Sequence, residues 1–125
     1  MNVNGITWHA SVMEEDRFES MRKLVTDTFG VAPLMEMPGV AVFALPDGTL
    51  YELYTKETQP PFGYNDGGIA FGFRVDDIEA ASAAVEAAGG ELLSDITRAE
   101  LGDSPYAYRH FRAPDGRVYG LNQLG

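Results

Sequence analysis

One short stretch of this chain occurs twice. Leu45-Pro46-Asp47-Gly48-Thr49-Leu50-Tyr51-Glu52-Leu53 in the first half returns as Ala113-Pro114-Asp115-Gly116-Arg117-Val118-Tyr119-Gly120-Leu121 in the second. The Pro-Asp-Gly turn, the apolar residue two further on, the Tyr and the Leu recur, whereas Glu52 is replaced by Gly120. Internal self-similarity predicts a fold built from two copies of one supersecondary unit.

The flanking residues define that unit. Ile6 to Met13 has strand character, and Glu14-Glu15-Asp16 places acids at a helix start, where the dipole favours them. Phe18, Met21, Leu24, Val25 and Phe29 follow at helical spacing until Gly30 and Pro33 end the element. Strand-like runs come next at Leu34–Met37, Gly39–Ala44 and Leu50–Thr55, the last two joined by the Pro-Asp-Gly turn. The second half repeats the order. A strand at Ile69–Val75 runs into a helix opened by Asp76-Asp77, with Ile78, Ala81, Val85 and Ala88 on its inner stripe and Gly89-Gly90 as its stop. Strands near Glu91–Leu93, Tyr106–Arg112 and Val118–Asn122 complete it, leaving Asp95–Pro105 as a longer polar connection. The expected fold class is α+β, one domain over residues 1–125, with module 1 near 5–57, a linker at 58–66 and module 2 near 67–125, each module β-α-β-β-β.

Composition narrows the function classes. A chain of 125 residues with 45% hydrophobic and 22% charged residues is an ordinary globular domain. The absence of cysteine excludes disulfides, thiolate metal sites and a cysteine nucleophile. A formal charge of −10 argues against nucleic acid as a partner and suits an acidic surface. No stretch approaches a membrane span and no signal peptide is visible near Met1, so a cytoplasmic location without membrane contact is expected. No phosphate loop, serine elbow or dinucleotide fingerprint is present.

Two β-α-β-β-β units, each with an Asp-led helix after its first strand and a closing Pro-Asp-Gly hairpin, resemble the vicinal oxygen chelate superfamily. That group includes glyoxalase I, extradiol dioxygenases and the bleomycin-resistance proteins. The resemblance implies tandem modules whose curved mixed sheets form a cup-shaped cavity for a small molecule, and it implies a homodimer. It also implies where a metal would bind: each module offers one ligand on its first strand, seven residues before the Asp of the helix start, and one on its last strand. Counting back from Asp16 gives His9, and the last-strand position is Glu52. In the second module the same positions are Ala70 and Gly120, which cannot bind a metal. A catalytic divalent site needs about three protein ligands, so neither a metal nor another cofactor is expected.

Strand alternation then assigns the cavity wall. His9 shares a face with Thr7 and Ser11, and its counterparts are Gly68, Ala70 and Gly72, while Trp8, Ala10 and Val12 are expected under the helices. On the last strands Leu50, Glu52 and Tyr54 face inward with Val118, Gly120 and Asn122. Pairing outward from the second turn sets Phe111 opposite Val118, His110 opposite Tyr119 and Arg109 opposite Gly120, so that Arg109 and Phe111 face the cavity and His110 points to the helices as a structural residue. Ala41 and Phe43 join them from the first hairpin. Expected ligand-binding residues are therefore Phe43, Tyr54, Gly68, Ala70, Gly72, Arg109, Phe111 and Gly120. The small residues leave volume for a ligand, although strand glycines also mark bulges or close backbone packing.

His9 and Glu52 form a candidate catalytic pair, an imidazole oriented by a carboxylate as a general base. Arg109 suits a planar anion, or an ion pair with Glu52. Three functions compete: a metal-free binder of an aromatic or polycyclic metabolite or drug, of the bleomycin-resistance type; a metal-dependent lyase, isomerase or dioxygenase with further ligands; and a metal-independent enzyme using His9 and Glu52. Loss of both second-module ligands favours the first.

Overall fold

The structure, a computed structural model, describes residues 2–64, 68–101 and 103–125. Asn65 and Asp66 of the expected linker and Gly67 at the start of the expected module 2 lie outside the described residues. The chain is α+β and divides into two compact units, Trp8–Ala70 and Met1–Thr7 with Phe71–Gly125.

In the first unit, β1 (Val3–Met13), β2 (Pro33–Met37), β3 (Val40–Ala44) and β4 (Leu50–Thr55) lie in the order β2-β3-β4-β1. β1 runs parallel to β4 and the hairpin neighbours are antiparallel. One face is covered by α1 (Glu15–Lys23), which has Glu15 and Asp16 in its first turn and Arg22 and Lys23 in its last, the signs that a helix dipole favours. Phe18 and Val25 bury against Ala41, Phe43 and Leu53, with Met13, Met21 and Tyr51 at the margin of that core. A π-helical segment, Leu24–Thr28, continues α1 and closes with Phe29 N donating to Leu24 O at 3.0 Å. The wider turn swings the apolar stripe, so Phe29, expected on the buried face, is 64% exposed.

In the second unit, β5 (Ile69–Val75, from Phe71 onward in this unit), β6 (Glu91–Leu92), β8 (Ser104–Arg112) and β9 (Val118–Leu124) follow the order β5-β9-β8-β6. The helix α2 (Ile78–Ala87) is capped by Asp77, whose carboxylate accepts from the backbone N–H groups of Glu79 and Ala80. It buries Ile78 and Ala81 against Val75, Ala107, Phe111 and Leu121. The expected polar connection at 95–105 instead contains a strand, β7 (Thr97–Leu101), paired with β8 from Thr97–Tyr108 to Leu101–Ser104. Its Arg98 and Glu100 hid it from a hydrophobic pattern; Arg98 pairs with Glu79 of α2 at 3.1 Å. The start of β1 belongs to this unit too. Asn2 donates its backbone and side-chain N–H groups to the Asp76 carboxylate at 2.9 and 3.0 Å.

Both Pro-Asp-Gly segments are hairpin turns, and each holds one residue more than a two-residue loop. Gly48 N donates to Leu45 O and Leu45 N to Thr49 O, at 2.9 and 2.8 Å; Gly116, Ala113 and Arg117 repeat the pattern at 2.8 and 2.9 Å. Gly48 and Gly116 have φ of 88° and 84°, the left-handed residue that closes a type I turn with a glycine bulge. Asp47 and Asp115 accept from the N–H groups of Thr49 and Arg117. The strands therefore pair Val42 with Glu52 and Phe43 with Tyr51, and His110 with Gly120 and Phe111 with Tyr119. This is one step away from the expected pairing, and in a strand one step exchanges the two faces.

Candidate functional site

The shifted register reassigns several expected site residues. Phe43 is fully buried in the core beneath α1, beside Ala41, and the residues that share the face of Glu52 on β3 are Val40, Val42 and Ala44. Phe111 is in the core beneath α2. Arg109 lies on that same helix-packed face of β8, opposite Leu121 rather than Gly120, and its guanidinium forks onto the Ser94 carbonyl at 2.9 and 2.6 Å. His110, expected to point at the helix, instead shares the open face with Gly120.

A second shift separates the proposed catalytic pair. β1 and β4 pair Ala10 with Glu52, Trp8 with Leu50 and Val12 with Tyr54, whereas His9 pairs with Tyr51 and Ser11 with Leu53. Paired residues of neighbouring strands share a face, so His9 lies on the α1 side with Ser11, whose hydroxyl is 3.4 Å from that of Tyr51. Trp8, Ala10 and Val12, expected under the helix, lie on the face of Glu52. The cause is the length of the step from strand to helix: Ala10 lies four residues before Glu14, the cap of α1, whereas Gly72 lies five before Asp77, the cap of α2. In register, the partners of Glu52 and Gly120 are Ala10 and Gly72, so His9 corresponds to Phe71, not to Ala70.

The face opposite α1 in the first unit is aromatic with one carboxyl group. Tyr64, from the segment after β4, packs its ring 5.7 Å from Trp8 and 5.9 Å from Tyr54, with Phe62 at 6.3 Å. Trp8 and Tyr64 are buried. The Tyr54 hydroxyl donates to Glu52 Oε1 at 2.6 Å. Burial raises the Glu52 pKa against the opposing pull of that hydrogen bond. Tyr64 carried no strand or helix signal, and no periodicity could have placed it here. In the same unit a groove of about 420 Å³ runs along α1, β2 and β3. It is lined by Phe18, Glu19, Arg22, Glu36, Met37, Pro38, Gly39 and Val40, none of them an expected site residue, and Arg22 is paired with Glu19 and Glu36 at 3.1 and 3.5 Å.

The face opposite α2 in the second unit has a different character. Gly72 of β5 pairs directly with Gly120, and Arg74 with Asn122. Across β8 the same face carries Tyr106, Tyr108 and His110, their rings in successive contact at 5.4 and 6.0 Å. His110 is buried, and burial lowers its pKa to about 4, leaving a neutral imidazole at pH 7. Asn122 is fully buried and donates Nδ2 to the Tyr106 hydroxyl at 2.6 Å. Of the remaining expected residues, Gly68 is half-buried and Ala70 fully buried, and both belong to the first unit, so the four small residues are not gathered in one unit. Among the described residues no three His, Asp or Glu side chains come together as a metal-binding group. No helix among them is long and apolar enough to cross a membrane.

This architecture has many relatives. A glyoxalase from Novosphingobium aromaticivorans, solved with Mn(II), superposes with a TM-score of 0.73 at 18% identity over 97% of this chain. A variant of 4-hydroxymandelate synthase from Streptomyces coelicolor gives 0.71 at 15% identity over 96%. The chain spans only 39% and 48% of those two proteins. It spans 88% of methylmalonyl-CoA epimerase from Mycobacterium tuberculosis, which gives 0.64 at 19% identity over 97% of this chain. At such identities the likeness is one of fold. No protein of curated function matches the sequence. The family model for the Glyoxalase/Bleomycin resistance protein/Dioxygenase superfamily matches residues 13–118, and the chain belongs to that superfamily.

Proposed function

We propose that this chain is a metal-free binding protein of its superfamily, holding a small aromatic or polycyclic metabolite or drug in the manner of the bleomycin-resistance proteins. One observation carries the reading: where the resemblance implies metal ligands, Glu52 is, among the described residues, the single carboxylate or imidazole on its face of β1 and β4, and its second-unit counterpart is Gly120. The partners in register are Ala10 and Gly72, neither of which can donate to a metal. The residues present do not fit a divalent ion, and no step is assigned to one. Aromatic rings with a few polar groups, as on both open faces, are the usual lining of small-molecule sites. The homodimer and the cytoplasmic location belong to the same proposal. The exposure of every residue in β2, the edge strand of its unit, including Leu34, Met35 and Met37, supports a covered edge.

A second reading, a metal-independent enzyme, is favoured by the Tyr54–Glu52 contact, since a buried carboxyl with a raised pKa suits proton transfer. His9 lies on the other face of β1 and is not part of it. Solvent deuterium entering the bound ligand would distinguish enzyme from binder.

Thermal unfolding against a panel of aromatic and polycyclic compounds, with a chelator present, tests the proposal. A ligand at about a hundred times its Kd adds about 2.7 kcal/mol, a rise of several degrees in Tm. The expected result is such a rise for at least one aromatic compound, unaffected by the chelator. A panel without any rise, or a rise that needs added metal, would refute it.

A further inference from the structure

The second unit carries a polar atom that the proposed function leaves unused. Asn122 is fully buried on β9, two residues beyond Gly120, and its Nδ2 is committed to the Tyr106 hydroxyl. Its Oδ1 has no hydrogen-bond partner among the described residues. A buried amide acceptor without a donor is costly, and folded proteins ordinarily meet such a group with water or a ligand. The short bond to Tyr106 holds the Nδ2 end of the amide, and Oδ1 is the end without a partner among the described residues. Around it the face opposite α2 is aromatic. Tyr108 stands directly opposite Asn122 on β8, His110 follows in ring contact with Tyr108 at 6.0 Å, and opposite His110 the buried Gly120 contributes no side chain.

We infer that Asn122 Oδ1 is the acceptor for a hydroxyl group on a neutral aromatic ligand, a phenol or a fused-ring equivalent, whose ring plane lies against Tyr108 and His110. This deepens the proposed function and rests on it. The chemistry is selective in two ways. A carbonyl acceptor gains a hydrogen bond from Ar–OH and nothing from the corresponding methyl ether, which leaves it unpaired in a complex that excludes water. It also repels a carboxylate, although Arg74, in register with Asn122 on β5, makes an anion-selective site the rival.

Calorimetric titration of the full chain with 2-naphthol, 2-methoxynaphthalene and 2-naphthoate separates these outcomes. Wild-type protein is expected to bind 2-naphthol at least about tenfold more tightly than either of the others, as a buried hydrogen bond predicts. In Asn122→Leu the preference for the naphthol over its ether should fall to within about threefold, with the affinity for the ether little changed. The Asn122 side-chain amide resonances of the wild-type protein should move on adding 2-naphthol and stay in place with the ether, a readout that does not require the variant to fold. Equal binding of naphthol and ether, tighter binding of the naphthoate, a stationary Asn122 amide, or a preference surviving in Asn122→Leu would each overturn this inference while leaving the metal-free binder intact. Binding of none of the three, in a protein that also gives no thermal shift with any aromatic compound, would remove both.

Discussion

Phe43→Ala is expected to cost about 3–5 kcal/mol of folding stability, the range for truncating a fully buried aromatic residue. Phe43 is 0% exposed in the core between α1 and the sheet, packed with Phe18, Val25, Ala41 and Leu53. The pairing expected from the sequence put it on a ligand-facing wall instead, where truncation would enlarge a pocket and barely alter stability. Urea denaturation of the two proteins decides between these placements. A loss below about 1 kcal/mol would mean that the register of the first hairpin is the shorter-loop one and that Phe43 faces away from α1.

His110 should make the protein acid-sensitive in a defined window. Its folded-state pKa is about 4, below its ordinary value of 6.5, because the buried ring resists charging. As pH falls the unfolded chain takes up this proton first. Stability is therefore complete above about pH 6.5 and is lost progressively down to about pH 4, by about 3 kcal/mol in all. Replacing the ring by one that cannot titrate, in His110→Phe, removes that slope. The stability difference between wild type and variant should shift by about this amount in favour of the variant between pH 7 and pH 4, while carboxylates common to both cancel. An NMR titration in which His110 protonates near 6.5 would contradict the burial on which this rests.

The elements of the fold were legible because each had a local cause. The Leu50–Thr55 and Ile69–Val75 strands fall where the apolar runs end at turn residues, and α2 begins where Asp77 caps it. The faces were not legible, for two reasons that act at single residues. The glycine of each Pro-Asp-Gly turn is an extra, left-handed loop residue, and counting it as a strand position beyond a two-residue Pro-Asp loop exchanged Phe111 and Arg109 for His110. In the first unit the step from Ala10, the partner of Glu52, to the helix cap Glu14 is four residues, against five from Gly72 to Asp77 in the second, so the common count of seven back from an Asp lands on the Gly72 face in one unit and on the opposite face, at His9, in the other. Period-two patterns carry no tolerance for such a step. Tyr64 escaped for another reason: its place beside Trp8 and Tyr54 depends on the path of an irregular segment. Asn122 was expected on the inward face, but only the structure shows that one end of its amide is held by Tyr106 while the other has no partner among the described residues.

The central claim is that this member of the superfamily binds its ligand without a metal, and titration with divalent ions tests it most directly. Purified chain, stripped with a chelator and dialysed, would be titrated calorimetrically with Mn²⁺, Ni²⁺ and Zn²⁺, with elemental analysis of the protein as first isolated. With Ala10 paired to Glu52 in the first unit and Gly72 paired to Gly120 in the second, no saturable site should appear and no ion should accompany the chain at stoichiometric level. About one tightly held ion per chain, as a catalytic site requires, with its affinity lost in Glu52→Gln, would contradict the account.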